Sequence, residues 1–309
     1  MPLHPSAEAI LPMFKEVLQI TSESDPAVVR ATMEAARIAL PEYPLFAVED
    51  RAAPGPGGEV PVRIYRPSEA TDLGVLVWFH GGGWVLGSID SHDNLCRQFS
   101  DEANVVVVSV GYRLAPEAKF PAALDDSIAA WTWVAKEISS FGGDAARVVI
   151  AGDSAGGNLA AAACLVIRDD GLPEPVAQLL VYPVTDYEFE SASMRDNAVG
   201  YGLESSDMQW FFKHYTSGAE QCADWRVSPL RAPELAGLPP AMVITAEYDP
   251  LRDQGAAYAQ RLADAGVPTE HLPVAGLFHG FFNMHAFIEP AQEPWDRAVA
   301  MVRAATAAN

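Results

Sequence analysis

Residues 147–157 read RVVIAGDSAGG, and this stretch determines the fold that we expect. An apolar run at 148–151 predicts a buried strand, and the pattern G-x-S-x-G follows it directly at 152–156. A helix is predicted from residue 158. A serine at such a strand-to-helix turn is held in a strained conformation above the sheet, beside a helix N-terminus that favours negative charge. Ser154 is therefore the candidate nucleophile, and a glycine-rich structural turn is the alternative interpretation.

The segments on both sides alternate between strands and helices. The predicted strands are rich in Val, Ile and Leu and lie at 60–65, 75–79, 105–110, 148–151, 177–182, 242–246 and 271–274. The predicted helices lie at 92–102, 122–138, 158–167, 253–265 and 294–308. Residues 52–58, AAPGPGG, are expected to form a turn or loop before the first strand. Continuous apolar strands are typical of a parallel sheet, so the predicted class is α/β with helices on both faces.

Two regions do not follow this alternation. Residues 1–45 have a helical pattern, and residues 187–225 are rich in aromatic side chains without a strand pattern. The second region is either a pair of packing helices or a lid over the carboxyl ends of the strands, where open α/β sheets bind ligands. We therefore expect N-terminal cap helices at 1–45, a cap insertion at 187–225, and a catalytic core formed by 46–186 and 226–309.

A second motif, HGGGW at 80–84, follows the predicted strand at 75–79. Three consecutive glycines let the backbone approach a ligand closely and direct several N–H groups to one point. Together with the amide that follows the candidate nucleophile, they are expected to form an oxyanion hole. The predicted donors are Gly82, Gly83 and Ala155, while Gly81 either shapes the loop or donates in place of one of them. A flexible turn is the alternative.

An acid is expected in a loop that follows a later strand. Asp249 lies just beyond the predicted strand at 242–246, which makes it the candidate. Asp249 and Pro250 also form the pattern of a helix N-cap followed by proline at the first helical position, and the two roles are compatible. Glu247 and Asp253 are rival acids.

The candidate base is His279, one of seven histidines, which lies in the loop after the predicted strand at 271–274. The order Ser154, Asp249, His279 is the order of nucleophile, acid and base in triads built above an α/β sheet. A solvent-facing loop histidine is the alternative. His80 lies beside the oxyanion donors, on the wrong side to deprotonate the serine, and is interpreted as a scaffold residue of the loop.

Five blocks in this order resemble the hormone-sensitive-lipase family of esterases: HGGGW at 80–84, YRLAPE at 112–117, GDSAGG at 152–157, DPLRDQG at 249–255 and HGF at 279–281. The resemblance runs from about residue 45 to the C-terminus. It implies an α/β-hydrolase fold with an eight-stranded, mostly parallel sheet and a helical cap. It also implies hydrolysis of small carboxylic esters with short- or medium-chain acyl groups through an acyl-enzyme, no cofactor, and a homodimer formed through the sheet edge. Gln254 stands where the family often has Glu, outside the triad.

The same motifs leave two other functions open. An amidase or deacetylase would use the same triad, and a non-catalytic ligand receptor could have the same fold. Receptors of this kind typically lose the histidine that is present here as His279. Aromatic side chains are candidates for the substrate pocket and equally for ordinary core packing: Trp84, Tyr182, Phe212, Tyr215 and Phe281.

The composition restricts the partners. The 309 residues include 20 basic and 41 acidic ones, a formal net charge of −21, which argues against nucleic acid and anionic membranes as partners. The triad needs Asp249, and Asp153 is expected to support the turn around the serine, so most other acids are predicted to be solvated surface. Three widely spaced cysteines, no metal-binding motif and no signal-peptide pattern predict a cytoplasmic protein without a metal or disulfide framework.

Overall fold

The computed structural model describes residues 2–17, 20–37 and 42–308. Its strands are β1 (Ala47–Gly55), β2 (Gly58–Arg66), β3 (Leu73–Phe79), β4 (Val106–Val110), β5 (Gly143–Asp153), β6 (Ala177–Val181), β7 (Ala241–Tyr248) and β8 (Thr269–Phe278). Its helices are α1 (Pro5–Val17), α2 (Pro26–Ala36), α3 (Asp93–Ala103), α4 (Ala122–Glu137), α5 (Ala155–Asp169), α6 (Ala192–Asp196), α7 (Ser205–Tyr215), α8 (Ala219–Ala223), α9 (Arg252–Asp264) and α10 (Gln292–Ala305).

The described strands form one eight-stranded sheet in the order β1-β2-β4-β3-β5-β6-β7-β8. Strand β2 pairs antiparallel with both of its neighbours, and the remaining pairs are parallel. The predicted α/β class and the mostly parallel eight-stranded sheet are therefore confirmed. In this arrangement the carboxyl ends of β3, β5, β7 and β8 lie along the same edge, so the loops that follow them can meet.

Strand β3 illustrates why the apolar runs become central strands. All seven of its residues are buried. Val75, Val77 and Phe79 face the hydrophobic cluster that includes residues of α4, α5 and α9. Leu76 and Trp78 face the cluster that includes residues of α3 and α10. Because successive side chains of a strand point to opposite faces, a strand covered by helices on both sides must be apolar throughout.

The loop predicted at 52–58 is wrong for residues 52–55 and for residue 58, which begins β2, so the turn consists of residues 56–57. Residues 52–55 belong to β1 and pair with β2, with Ala53 opposite Val60 and Gly55 opposite Gly58. The strand lies at the edge of the sheet, where Pro54 is tolerated because one row of backbone groups needs no partner strand. Ala53 is fully buried and anchors this edge to the core.

Two helical regions lie outside the strand–helix alternation. Between β6 and β7, α7 buries one face in the core. Near the N-terminus, Arg30 of α2 donates to the carbonyl of Val85 at 2.7 Å and pairs with Glu117 at 2.8 Å. Within the predicted cap at 1–45, positions 1, 18–19 and 38–41 lie outside the described residues. Among the helices that are described, none is long and apolar enough to cross a membrane.

Candidate active site

Ser154 lies in the turn between β5 and α5. Its backbone has φ 56° and ψ −118°, a region that costs energy for a residue other than glycine. Its amide donates to the carbonyl of Val181 at 2.9 Å, which holds the turn against the neighbouring strand. The packing leaves no space beside it, since a Cβ at Gly156 would lie 1.9 Å from the carbonyl oxygen of Phe79. The turn therefore needs glycine at 156, as the motif predicts.

The structure brings Ser154, His279 and Asp249 into direct contact. His279 follows β8, and its Nε2 lies 3.0 Å from the Oγ of Ser154. Its Nδ1 lies 2.7 Å from the Oδ2 of Asp249, which is fully buried after β7. The other oxygen of Asp249 accepts the amide of Leu251 at 2.8 Å, and Leu251 rather than Asp249 is the N-cap of α9. In this arrangement the imidazole can accept the serine proton while the carboxylate holds its opposite nitrogen.

The two rival acids bind elsewhere. Glu247 accepts the amide of Gly276 at 2.7 Å. Asp253 accepts the amide of Ser193 at 2.8 Å. Glu247 therefore binds strand β8 and Asp253 binds helix α6, whereas Asp249 is the acid that contacts the histidine.

The glycine loop after β3 passes close to the serine. The amide of Gly81 donates to the Oδ1 of Asp153 at 3.0 Å, so this glycine shapes the loop instead of offering a free donor. In the described part of the chain, the amides of Gly82 and Gly83 have no acceptor. Ala155 is the first residue of α5, where an amide has no acceptor within the helix. These three amides are available to a ligand oxygen.

His80 supports this loop from the side away from the serine. It is buried, and its Nδ1 donates to the carbonyl of Gly81 at 2.8 Å. Tyr112, from the YRLAPE block, stacks on the imidazole at 4.3 Å between ring centroids and donates to the carbonyl of His80 at 2.7 Å. Burial lowers the pKa of His80 to about 4, so its ring is neutral at neutral pH and suits a structural role.

Asp153 is held by two residues that sequence reasoning missed. His92, just before α3, places its Nε2 3.1 Å from the Oδ1 of Asp153. Asn283, in the turn after β8, donates to the Oδ2 of Asp153 at 3.4 Å. Burial raises the pKa of Asp153, but His92, His80 and His279 together outweigh burial, and the net shift is downward. Neither residue belongs to a motif, so the sequence carries no local signal for this network.

A cavity of about 260 Å³ opens beside the serine. It is lined by Ser154 and His279, by Ile20 and Met33 near the N-terminus, and by Phe211 of α7. Of the five aromatic residues predicted for the pocket, Tyr182 lines this cavity.

The other four predicted pocket residues pack in the core instead. Trp84 stacks on Tyr215 at 4.2 Å between ring centroids, and Phe212 lies 5.3 Å from Trp84. Phe281 packs edge-on against Tyr182 at 5.6 Å. The aromatic residue of α7 that faces the cavity is Phe211, one position before the predicted Phe212. A single position rotates a side chain by about 100° around a helix, and composition alone does not fix that rotation.

Comparisons with known proteins identify the family and the fold of the chain. A family model described as alpha/beta hydrolase fold matches residues 76–283. The carboxylic ester hydrolase LipN of Mycobacterium tuberculosis is 43% identical over 269 residues, which cover 85% of this chain and 72% of LipN. Carboxylesterase NlhH of the same species is 37% identical over 308 residues, 97% of each chain.

A solved structure extends the comparison to the fold. The hyperthermophilic esterase from the archaeon Pyrobaculum calidifontis matches with a TM-score of 0.91 and 38% identity, over 99% of this chain and 100% of that esterase. The fold and family expected from the sequence motifs are thus confirmed. The chain belongs to the α/β-hydrolase family and, within it, to the carboxylesterases related to hormone-sensitive lipase.

Proposed function

We propose that the protein hydrolyses carboxylic esters of short- to medium-chain acyl groups, with Ser154 as nucleophile, His279 as base and Asp249 as the orienting acid. The observation that carries this proposal is the unbroken contact from Ser154 to His279 at 3.0 Å and from His279 to Asp249 at 2.7 Å. The names of the relatives, carboxylic ester hydrolase and carboxylesterase, support the substrate class.

The reaction proceeds in two steps. The Nε2 of His279 takes the hydroxyl proton as the Oγ of Ser154 attacks the ester carbonyl, and the imidazolium then protonates the leaving alcohol. Asp249 holds the Nδ1 proton and stabilises the imidazolium. In the second step a water molecule, deprotonated by His279, attacks the acyl-enzyme and releases the carboxylic acid.

The oxyanion of each tetrahedral intermediate accepts hydrogen bonds from the amides of Gly82, Gly83 and Ala155. These donors are fixed before the reaction, because the loop is tied to Asp153 through Gly81. Donors that need no reorganisation are the main source of transition-state stabilisation in acyl transfer. The N-terminus of α5 adds a favourable dipole at the same point.

The proposal is tested with Ser154→Ala. The control is Ser139→Ala, an exposed serine just before the start of β5, whereas Ser154 follows its end. Hydrolysis of p-nitrophenyl butyrate should fall by about 10⁵–10⁶-fold in Ser154→Ala and stay unchanged in the control. A fluorophosphonate probe should label the unsubstituted protein and not Ser154→Ala, which separates an enzyme from a non-catalytic receptor. Retained ester hydrolysis in Ser154→Ala would overturn the proposal.

Ester and amide cleavage are separated by a matched pair of substrates. We expect p-nitrophenyl butyrate to be cleaved with a much higher kcat/KM than butyryl p-nitroanilide. The reverse preference would support the amidase or deacetylase alternative.

The size of the cavity supports the chain-length part of the proposal. Its volume of about 260 Å³ lies just below the ~300–1,000 Å³ of typical ligand sites. A profile of kcat/KM across p-nitrophenyl acetate, butyrate, octanoate and dodecanoate should therefore decline at the long end. A profile that rises up to dodecanoate would contradict this part.

We also propose that the protein is a homodimer that pairs through β8. Among the described strands, β8 pairs with β7 and with no other, so its outer edge lies beside no strand, and His4 covers one point of that edge by donating to the carbonyl of Gly276 at 2.8 Å. Such edges are templates for pairing with a second chain. Light scattering after size exclusion should give twice the chain mass of 33.2 kDa, and a monomer mass would exclude the dimer.

We further propose a cytoplasmic location. Cys96, Cys164 and Cys222 are all free and buried, which suits a reducing compartment. Cell fractionation with a cytoplasmic marker tests this placement, and recovery with the secreted fraction would contradict it.

A further inference from the structure

The catalytic cavity contains a carboxylate that the proposed reaction does not use. Asp207, in the first turn of α7, is 4% exposed and lines the same cavity as Ser154 and His279. Its Oδ2 accepts the amide of Glu204 at 2.8 Å and so caps the helix. Its Oδ1 has no hydrogen-bond partner in the described chain. The capping role accounts for one oxygen and leaves the other without a function.

Asp207 lies close to the oxyanion loop. It precedes Phe211 by four residues on the same face of α7, which places their Cβ atoms roughly 5–6 Å apart. Phe211 in turn packs directly on Gly83, where a Cβ would meet its ring at 2.1 Å. The carboxylate is therefore about one helical turn beyond the ring that covers the oxyanion loop. Asp207, Ser154 and the oxyanion glycines all line one cavity, so a substrate that fills this cavity shares it with the carboxylate.

No positive charge of the protein neutralises this carboxylate. The titratable neighbours are Glu204 on its own turn and, across the cavity, Asp153, His92 and His279. Among the described residues that line the cavity there is no Lys or Arg. Burial raises the pKa of Asp207 to about 6, and the charge of Glu204 adds to this shift. A largely buried carboxylate is costly unless donors reach its oxygens, and the Oδ1 of Asp207 keeps exposure to the cavity but receives no donor from the described residues.

We propose that Asp207 determines specificity by accepting a hydrogen bond from the substrate, so that the enzyme prefers esters that carry a hydroxyl or ammonium group a few bonds from the ester carbonyl. The inference rests on the proposed ester hydrolysis at Ser154, since it places the donor relative to that reaction centre. A hydroxyl or ammonium group supplies the partner that Oδ1 lacks. An unsubstituted acyl chain leaves Oδ1 without one.

The test uses Asp207→Asn and, as a second variant, Asp207→Leu. Asparagine has one acceptor oxygen. If this oxygen keeps the hydrogen bond from the amide of Glu204, the NH₂ group points toward the cavity. Two donors then face each other, and a substrate hydroxyl or ammonium group finds no acceptor. Leucine removes the acceptor altogether. The matched control is Glu220→Gln, which neutralises an exposed carboxylate in the first turn of α8 that does not line the cavity.

The readout is a ratio of kcat/KM values. Three donor-bearing esters, ethyl 3-hydroxybutyrate, 2-hydroxyethyl butyrate and 2-(dimethylamino)ethyl butyrate, are each compared with ethyl butyrate. They place a hydroxyl on the acyl side, a hydroxyl on the alcohol side and an ammonium on the alcohol side. We expect the unsubstituted enzyme to favour at least one of them. That ratio should fall by roughly ten-fold or more in both Asp207 variants and stay within about two-fold in the control.

Two results would overturn the inference. One is an unsubstituted enzyme that favours none of the three donor esters over ethyl butyrate, a measurement that needs no variant to fold. The other is that both Asp207 variants have kcat/KM ratios of donor ester to ethyl butyrate within about two-fold of those of the unsubstituted enzyme. Hydrolysis retained in Ser154→Ala would instead remove the proposed function, so the two failures are distinguishable.

Discussion

The Oδ1 of Asp153 lies 3.0 Å from the amide nitrogen of Gly81, so the residue before the serine holds the loop that carries the oxyanion donors. Two motifs 70 residues apart in sequence thus form one unit. Because His92 and Asn283 hold the same carboxylate, the loop position depends on a buried network.

Asp153→Ala should therefore lower kcat on p-nitrophenyl butyrate with a small change in KM. The expected loss is about ten-fold, less than the ~10²–10³-fold effect of removing an oxyanion donor itself, because the loop is displaced but not deleted. Asp169→Ala, exposed at the far end of α5, is the control and should change neither constant. Unchanged kcat in Asp153→Ala would show that the loop keeps its position without this bond.

Asp249→Asn should lower kcat by about 10³–10⁴-fold, by analogy with the same change in other serine triads. The amide can hold the imidazole in the wrong tautomer, with the proton on the nitrogen that must accept from Ser154. Asp253→Asn tests whether any nearby acid would serve, because its carboxylate binds Ser193 instead. Steady-state kinetics should show at most a several-fold loss there, and comparable losses in both variants would refute the assignment.

Gly83→Ala should reduce both activity and thermal stability. Gly83 has φ 59°, and an added Cβ would lie 2.1 Å from the ring of Phe211. Phe211→Ala removes this clash, so the double variant should recover part of the lost melting temperature. The expected coupling is roughly 0.5–3 kcal/mol, measured by a double-mutant cycle on unfolding. Strictly additive effects would mean that backbone strain alone accounts for the loss.

Stability should depend on pH through Asp207, whose pKa is raised by burial from 3.8 to about 6 in the fold. The folded state then binds this proton more tightly than the unfolded state. The destabilising effect of the carboxylate is therefore absent below pH 3.8, grows as pH rises, and is complete above about pH 6.

The free energy of unfolding of Asp207→Asn, relative to that of the unsubstituted protein, should consequently be higher at pH 8 than at pH 5. The expected change between the two pH values is roughly 1–2 kcal/mol. Denaturant unfolding at the two pH values measures this difference. A constant difference at both pH values would mean that the carboxylate titrates normally.

The central fold could be predicted because its signals are local. The run at 75–79 is apolar at each position, and burial on both faces demands that pattern. The edge strand β1 was missed because an edge tolerates Pro54 and Gly55, which otherwise indicate a turn. The alternation of strands and helices thus predicts the interior of the sheet better than its border.

The candidate triad could be predicted for a different reason. Its three residues must stand at fixed points, on a tight turn and in two loops at the carboxyl ends of strands, and motifs mark those points. His92 and Asn283 come together across 191 residues with no such marker. The choice of Phe211 over Phe212 depends on the rotation of α7 against the core, which the run of aromatic residues at 210–212 does not encode.

The cavity has a divided origin. Its reacting groups come from loops that follow strands of the sheet, whereas Met33 and Phe211 come from helices α2 and α7. Helix α2 is held to the rest of the protein by contacts such as the ion pair of Arg30 with Glu117. Part of the cavity wall therefore comes from stretches of the chain outside the catalytic loops. We expect that exchanging residues 187–225 among relatives would alter which esters fit while Ser154, Asp249 and His279 stay unchanged.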